Sequence, residues 1–206
     1  MGNMTLEQVN DMYLDVLREI GNIGAGNATS AIANMLGMKI DMNVPSIRLM
    51  EVSQLGMAVG AEDETIVGIF LEVETDIEGS MMFLLDIPSA RYLVNKLMMT
   101  NEPDDQPFGE MELSALKEIG NIIAGSYLSA LSSLTNLVIT PSVPYIAVDM
   151  AASILSVPAI EFGQYGDNAL LIQTEISADV AINGYFILMP EQDSYEKILT
   201  SLGISI

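Results

Sequence analysis

The sequence predicts an α+β fold in which two pseudo-twofold-related halves pack helices on a mainly antiparallel β-sheet. Three observations predict it: an internal repeat, the same order of helical and strand-like segments in each half, and tight turns between successive strands. Halves of about 100 residues would each bury only a modest core. We therefore expect residues 1–206 to form one domain, made of halves at about 1–100 and 101–206.

The internal repeat is clearest in two blocks that lie 99 positions apart, LREIGNIGAGNATSA at 17–31 and LKEIGNIIAGSYLSA at 116–130. Ten of the fifteen positions are identical. Between the halves, segment 100–109 reads TNEPDDQPFG, with two prolines and three acidic residues. This composition is typical of a linker.

Hydrophobic periodicity gives the elements of each half in turn. The first half is predicted to contain a helix over 6–36, strands near 39–50, 66–74 and 79–86, and a helix over 88–99. The second is predicted to contain a helix over 109–134, strands near 137–147, 168–176 and 181–189, and a helix over 192–202. The connection DIEG at 76–79 favours antiparallel pairing. Segment 149–162 is predicted to be an additional amphipathic helix that the first half lacks.

Charge and composition exclude several classes of function. The net charge is −21, from 7 basic and 28 acidic residues, and such a surface repels nucleic acid and anionic membranes. The chain has no Cys and no His, so it lacks thiolate chemistry, the commonest general base and the commonest metal ligand. We therefore expect no metal site, and catalysis would depend on carboxylates, amides, hydroxyls or groups supplied by a partner.

No targeting or membrane segment is predicted. The first residues, MGNMTLEQVND, are polar and acidic, unlike a secretion signal. The apolar stretch 119–139 is interrupted by Gly, Asn, Ser and Thr, whereas a membrane span needs about 20 predominantly apolar residues. We expect a cytoplasmic protein that does not insert into membranes.

The repeated block places polar residues on one face of each predicted long helix. At 100° per residue, the residues on that face of the first helix are Asp15, Glu19, Asn22 and Gly26. Their counterparts on the second helix are Ser114, Glu118, Asn121 and Gly125. Each stripe is followed by a proline 23 positions after its asparagine, Pro45 or Pro144. Glycine inside a helix costs about 1 kcal/mol relative to alanine, so close approach of another backbone is one reason to have it there.

Three interpretations of this block remain open from the residues alone. The stripes could be solvated remnants of a duplicated Gly-rich helix, or the glycines could form a phosphate-cradling loop. The second is disfavoured because the spacing is G-x-x-G-x-G and Ile123 replaces the middle glycine in the second copy. The third interpretation is a pair of Glu/Asn sites that act on a molecule outside the chain.

The spacing [D/S]-x3-E-x2-N-x22-P, found twice, resembles that of the CheC/CheX/FliY family of chemotaxis phosphatases. The two-copy arrangement is most similar to the CheC branch, and the resemblance covers nearly the whole chain. It implies a protein aspartyl-phosphate phosphatase that acts on the phosphorylated response regulator CheY. Glu19/Asn22 and Glu118/Asn121 would be its catalytic pairs. No cofactor of its own is implied, and Mg²⁺ would belong to the response regulator.

The resemblance also implies roles for the other motif residues. The asparagines would position the attacking water, and the glutamates would dock to the receiver lysine. Asp15 and Ser114 would shape the contact or the helix start, and Pro45 and Pro144 would fix the turn into the following strand.

A second partner implied by the family is the deamidase CheD, which would give a heterodimer, with a monomer as the alternative. The candidate residues for this contact are Asp149, Met150, Ile154 and Leu155. Two other functions stay open: a protein that mainly binds and regulates CheD, and a flagellar-switch scaffold similar to FliM or FliY. Both Glu/Asn pairs count against the FliM-like scaffold, and the end of the sequence at Ile206 counts against a FliY-like one.

Overall fold

The computed structural model describes residues 6–59, 63–161 and 168–203. The helices in these ranges are α1 (Leu6–Leu36), α2 (Leu55–Val59), α3 (Ile87–Met98), α4 (Glu110–Thr135), α5 (Ala151–Glu161) and α6 (Gln192–Ser201). A 3₁₀ turn, Val52–Gln54, precedes α2. The strands are β1 (Asp41–Glu51), β2 (Thr65–Thr75), β3 (Gly79–Asp86), β4 (Ile139–Pro141), β5 (Tyr145–Met150), β6 (Asn168–Ser177) and β7 (Ala181–Pro190).

The strands form one antiparallel sheet whose centre is the pairing of β3 with β7. From one edge, the order is β1, β6, β7, β3 and β2, and β4 and β5 follow one another along the outer side of β2. The α+β prediction of helices on a mainly antiparallel sheet is confirmed. The predicted strand near 137–147 is in fact two short strands, because regular pairing with β2 is interrupted at residues 142–144, where Ser142 alone still bonds to Glu72.

The two halves exchange strands across the sheet. β1, which follows the long helix of the first half, pairs with β6 of the second half. Its counterpart β5, which belongs to the second half, pairs with β2 of the first half. Each hairpin is therefore completed by a strand from the other half, and the halves share one continuous sheet.

The sheet separates two layers of apolar side chains. Because successive strand residues face opposite sides, Met81, Phe83 and Leu85 of β3 join the larger core, while Met82 and Leu84 join the smaller one. The larger core is covered by α1, α3, α4 and α6, and the smaller core is covered by the short helix α2 and by α5. The two long helices thus lie on the same face of the sheet.

One sequence-based expectation about symmetry is wrong. The predicted helix at 149–162 is present as α5, but the first half does have a counterpart to it. The 3₁₀ turn and α2, over residues 52–59, occupy the position that corresponds to α5 after the 99-residue offset. Val52 and Leu55 of this segment cover the same face of the sheet as α5, and over the described residues the segment is a 3₁₀ turn followed by a short helix where the second half has a single helix.

The long helices contact each other at a glycine. A Cβ placed on Gly24 of α1 would lie 2.6 Å from the ring of Tyr127 and 3.0 Å from its Cα, so only glycine permits this approach. The Tyr127 ring stacks on Phe186 of β7 with 4.5 Å between centroids. Burial raises the pKa of the Tyr127 phenol, against a smaller lowering by its hydrogen bond with Thr174. The neutral phenol is therefore a core residue that joins both helices to the sheet.

A pair of glycines at matching positions lets the helices lie close to the sheet. A Cβ on Gly21 would lie 2.9 Å from the side chain of Ile47 in β1. The equivalent Gly120 of α4 would meet Ile69 of β2 at 2.8 Å. These two glycines occupy matching positions of the repeat, so the same helix-to-sheet contact is made twice.

We predict that Gly24→Ala lowers the free energy of unfolding by about 1–3 kcal/mol, because the added methyl overlaps the Tyr127 ring and backbone. Gly26→Ala is the matched control on the same helix, where a Cβ meets nothing within 4 Å. It should raise the free energy of unfolding by up to about 1 kcal/mol, since alanine is the better helix former. Urea unfolding of both variants tests this. Equal stability of the two would contradict the close contact between α1 and α4.

Candidate functional site

The first stripe lies on the solvent side of α1. Asp15, Glu19, Asn22 and Gly26 are all exposed. They face solvent because the opposite side of the helix, which includes Leu17, Ile20 and Ala28, is buried in the larger core. The structure therefore brings the four predicted residues together on one accessible surface.

The second stripe has the same arrangement on α4. Ser114 and Glu118 are exposed, whereas Asn121 and Gly125 are half-buried. Leu116, Ile119 and Ile123 anchor the other side of this helix in the core. Both stripes thus lie in the helical layer on the same face of the sheet, and the second is the more recessed.

The Glu and Asn side chains of the stripes have no partners among the residues that the structure describes. In the described residues, Glu19, Asn22, Glu118 and Asn121 make no hydrogen bond or ion pair. Asp15 differs, because its carboxylate pairs with Arg18 at 2.7 Å, and both side chains are largely exposed. Surface pairs of this kind contribute little to stability. The carboxylates and carboxamides are therefore free to interact with another molecule.

The stripe glycines have no internal role that the structure reveals. A Cβ on Gly26 or on Gly125 would meet nothing within 4 Å. The other helix glycines with close contacts, Gly21, Gly24 and Gly120, each permit a contact inside the fold. On each stripe, the glycine therefore leaves the helix backbone uncovered by a side chain, one turn after the asparagine.

The two prolines of the motif lie in different surroundings. Pro144 precedes β5 directly, in the 142–144 connection, as expected for a residue at the turn into a strand. Pro45 instead lies inside β1, where the pairing with β6 shifts register between Asn43 and Ser46. Its expected place in a turn is therefore wrong. Proline lacks an N–H and is tolerated in strands at such irregularities.

The four residues suggested for a second partner are divided between surface and core. Asp149 and Met150 are exposed at the end of β5. Ile154 and Leu155 are 2% and 6% exposed and belong to the smaller core, so they are wrong as surface contacts. Helix α5 is packed with these two residues toward the sheet, and its exposed residues include Ala152, Ser156, Val157 and Ile160.

Two features were missed by the sequence reasoning. One is a groove of about 550 Å³ beside α5, lined by Phe70, Met82, Tyr145, Asp149 and Val157 among others. The other is Arg91 of α3, a fully buried charged residue. The available signal for Arg91 was its position in the predicted helix over 88–99, close to the apolar residues Ala90, Leu93 and Val94.

The described part of the chain contains no group of three or more acidic residues placed to hold a metal ion. Within the same ranges, none of the helices combines the length and apolar character that crossing a membrane requires.

Comparison with known proteins identifies the class to which this fold and these stripes belong. The CheC-like family matches residues 12–48 and 111–147, which are the two copies of the motif. The chain is also 38% identical over 203 residues to the CheY-P phosphatase CheC of Bacillus subtilis (strain 168), covering 96% of this chain and 97% of that protein. The protein belongs to the CheC-like family.

Solved structures of a FliY and of a CheX have the same fold as this chain. FliY of Thermotoga maritima superposes with a TM-score of 0.74 at 21% identity, covering 98% of each chain. A CheX–CheY–BeF3–Mg²⁺ complex from Borrelia burgdorferi matches with a TM-score of 0.50 at 18% identity, covering 82% of this chain and 96% of that one. At these identities the likeness establishes the fold.

We predict that Asn22→Ala and Asn121→Ala each change the free energy of unfolding by less than about 0.5 kcal/mol. Neither side chain has a partner in the described residues, and alanine favours a helix. Thermal or urea unfolding of the two variants checks this. A loss of several kcal/mol would show that the asparagines serve the fold.

Proposed function

We propose that this protein hydrolyses the acyl phosphate of phosphorylated CheY at two sites, Glu19/Asn22 and Glu118/Asn121. The observation that carries the proposal is the pair of accessible stripes, whose Glu and Asn side chains have no partner among the described residues. Support for the substrate comes from the similar protein of Bacillus subtilis, which is a CheY-P phosphatase.

The chemistry requires little from this chain beyond positioning. Phosphoryl transfer passes through a loose transition state, so the main requirement is a water held in line with the scissile bond. A carboxamide can donate one hydrogen bond and accept another, and it can therefore orient such a water without changing its own protonation. Asn22 and Asn121 have this role in our proposal. It needs neither His nor Cys, and the chain has neither.

The glutamates would serve to dock the substrate. Glu19 and Glu118 are exposed and one helical turn before the asparagines. We infer that each pairs with the lysine ammonium of the receiver domain, which places the asparagine over the phosphoryl group. The Mg²⁺ that neutralises the phosphoryl oxygens would be held by CheY. A CheX of the same fold has been solved in complex with CheY, BeF3 and Mg²⁺, which supports this type of assembly.

The glycines of the stripes fit the same proposal. Gly26 and Gly125 follow their asparagines by one turn and have open space above them. A receiver loop could then approach the helix backbone closely. This gives a reason for two helix-destabilising residues that make no close contact within the fold.

A second function, binding of CheD, is supported by one region of the surface. Asp149 and Met150 are exposed at the end of β5, next to the exposed side of α5. We propose this region as the contact, in a cytoplasmic protein that is a monomer or a heterodimer with CheD. A non-enzymatic flagellar-switch scaffold is less well supported, because it gives no reason for two exposed Glu/Asn pairs.

The decisive test follows the decay of CheY labelled by acetyl phosphate. We expect the protein to accelerate the decay, and we expect Asn22→Ala combined with Asn121→Ala to reduce the acceleration on the order of 100-fold, as for loss of one positioned hydrogen-bonding group. Each single substitution should leave the contribution of the other site.

Asn27→Ala is the control for this test, because Asn27 is an exposed asparagine on α1 that lies off the stripe. It should leave the rate unchanged. Full activity in the doubly substituted protein would rule out the proposed mechanism.

A further prediction distinguishes the effect of the stripe glycines on substrate binding from their effect on fold stability. Gly26→Ala combined with Gly125→Ala should raise the KM for phosphorylated CheY at least several-fold, because two methyl groups then occupy the closest points of approach. The same changes should stabilise the fold, by up to about 1 kcal/mol each. Steady-state kinetics and urea unfolding on one preparation give both values. Unchanged KM would mean that the partner does not contact these glycines.

A further inference from the structure

Among the described residues, the largest fully buried side chain is a charged one, Arg91 of α3, at 1% exposure. Its guanidinium donates hydrogen bonds to the carboxylate of Glu112 and to the main-chain carbonyl of Gln106. The ring of Phe108 covers the guanidinium at 4.0 Å. Arg91 therefore holds three points of the chain together: the linker at Gln106 and Phe108, and the first turn of α4 at Glu112.

Glu112 connects this cluster to the start of α4. Its second carboxylate oxygen accepts the N–H of Gly109, the N-cap residue, at 2.6 Å. The carbonyl of Gly109 in turn accepts the N–H of Leu113 at 2.9 Å, which begins the helix. A single carboxylate thus satisfies the helix N-cap and pairs with the buried guanidinium.

Stability alone does not explain this buried ion pair, because removing both charges from water costs free energy. A buried charge loses the free energy of its hydration, which its new contacts must offset. One guanidinium nitrogen of Arg91, Nε, has no hydrogen-bond partner among the described residues. The planar fork of arginine, however, reaches two acceptors at fixed angles. Such a contact defines where the first turn of α4 lies and how the helix is rotated.

The second site lies further along that same helix. Ser114 follows Glu112 by two residues, and Asn121 follows it by nine. Because an α-helix rises 1.5 Å per residue, Asn121 is about 13.5 Å from Glu112 along the axis of a stiff element. A rotation or a shift of the first turn is therefore carried to Glu118 and Asn121.

The first copy lacks both partners of this contact. The position that matches Glu112, 99 residues earlier, is Tyr13. Aligning α6 with α3 through the buried pairs Ser194/Ser89 and Leu199/Val94 places Glu196 opposite Arg91. The contact therefore exists for α4 and has no counterpart in sequence for α1.

We propose that Arg91 is a positioning residue for the second site, acting through Glu112, and that it has no such role at the first site. The inference rests on the proposed function for its activity readout. Arg91 does not touch the substrate. It sets the orientation of the helix that presents Glu118 and Asn121.

The test combines Arg91→Met with one asparagine substitution at a time. In the Asn22→Ala protein only the second site can act, and in the Asn121→Ala protein only the first site can act. Met keeps an unbranched apolar stem of similar reach but makes neither hydrogen bond. With CheY decay as the readout, we expect kcat of the second-site protein to fall about tenfold or more, since small misplacements of a positioning group are costly. The first-site protein should change by less than twofold.

Glu112→Gln provides a second route that keeps the side-chain shape. It should reproduce the selective loss, and combining it with Arg91→Met should add little, because both changes break one contact. Equal losses in the two backgrounds, or no loss in either, would overturn the proposal.

Hydrogen exchange supplies a readout that does not depend on phosphatase activity. Arg91→Met should raise amide exchange in the first turns of α4 at least several-fold and leave the middle of α1 unchanged. Unaltered exchange in α4 would reject the positioning role even if both sites proved inactive. Activity that survives the combined Asn22→Ala and Asn121→Ala changes would instead reject the proposed function, and the exchange result would still decide the role of Arg91.

Discussion

The close packing of α1 and α4 on one face of a shared sheet is the constraint on which the rest of this structure depends. It requires glycine where the helices touch, at Gly24 beside Tyr127, and where they lie on the sheet, at Gly21 and Gly120. With these sides of the helices buried, the repeated Glu/Asn residues can only face outward. The same packing that forms the core therefore also exposes both stripes.

The glycines of the repeated block divide into two groups with different physical reasons. Gly21, Gly24 and Gly120 have neighbouring atoms where a Cβ would lie, and a larger residue would force the layers apart. Gly26 and Gly125 have open space, so the fold itself does not require them. A helix that keeps glycine without an internal contact accepts a loss of helix stability. In our proposal an approaching partner explains this loss.

The two halves are alike in topology and unlike in detail. The strand exchange, in which β1 pairs with β6 and β5 pairs with β2, joins them into a single continuous sheet. Differences then arise at the surface and at the helix ends. Over the described residues α5 is longer than α2, and a buried arginine fixes the first turn of α4, a contact with no counterpart in the sequence of the other half. Duplication supplied two similar sites, and such differences provide a physical basis for the sites to diverge.

The sequence by itself determined the fold class, most helix and strand positions, and the membership of both stripes, because these follow from local periodicity and from the repeat. Glu19 and Asn22 could be placed on one exposed face from their spacing alone. The exchange of β1 and β5 could not be predicted, since strand pairing is set by contacts between residues far apart in the chain. Burial of Ile154 and Leu155, and of Arg91, was decided in the same way. An amphipathic pattern shows that a helix has an apolar side, but only the tertiary structure decides which layer covers it and which charge it encloses.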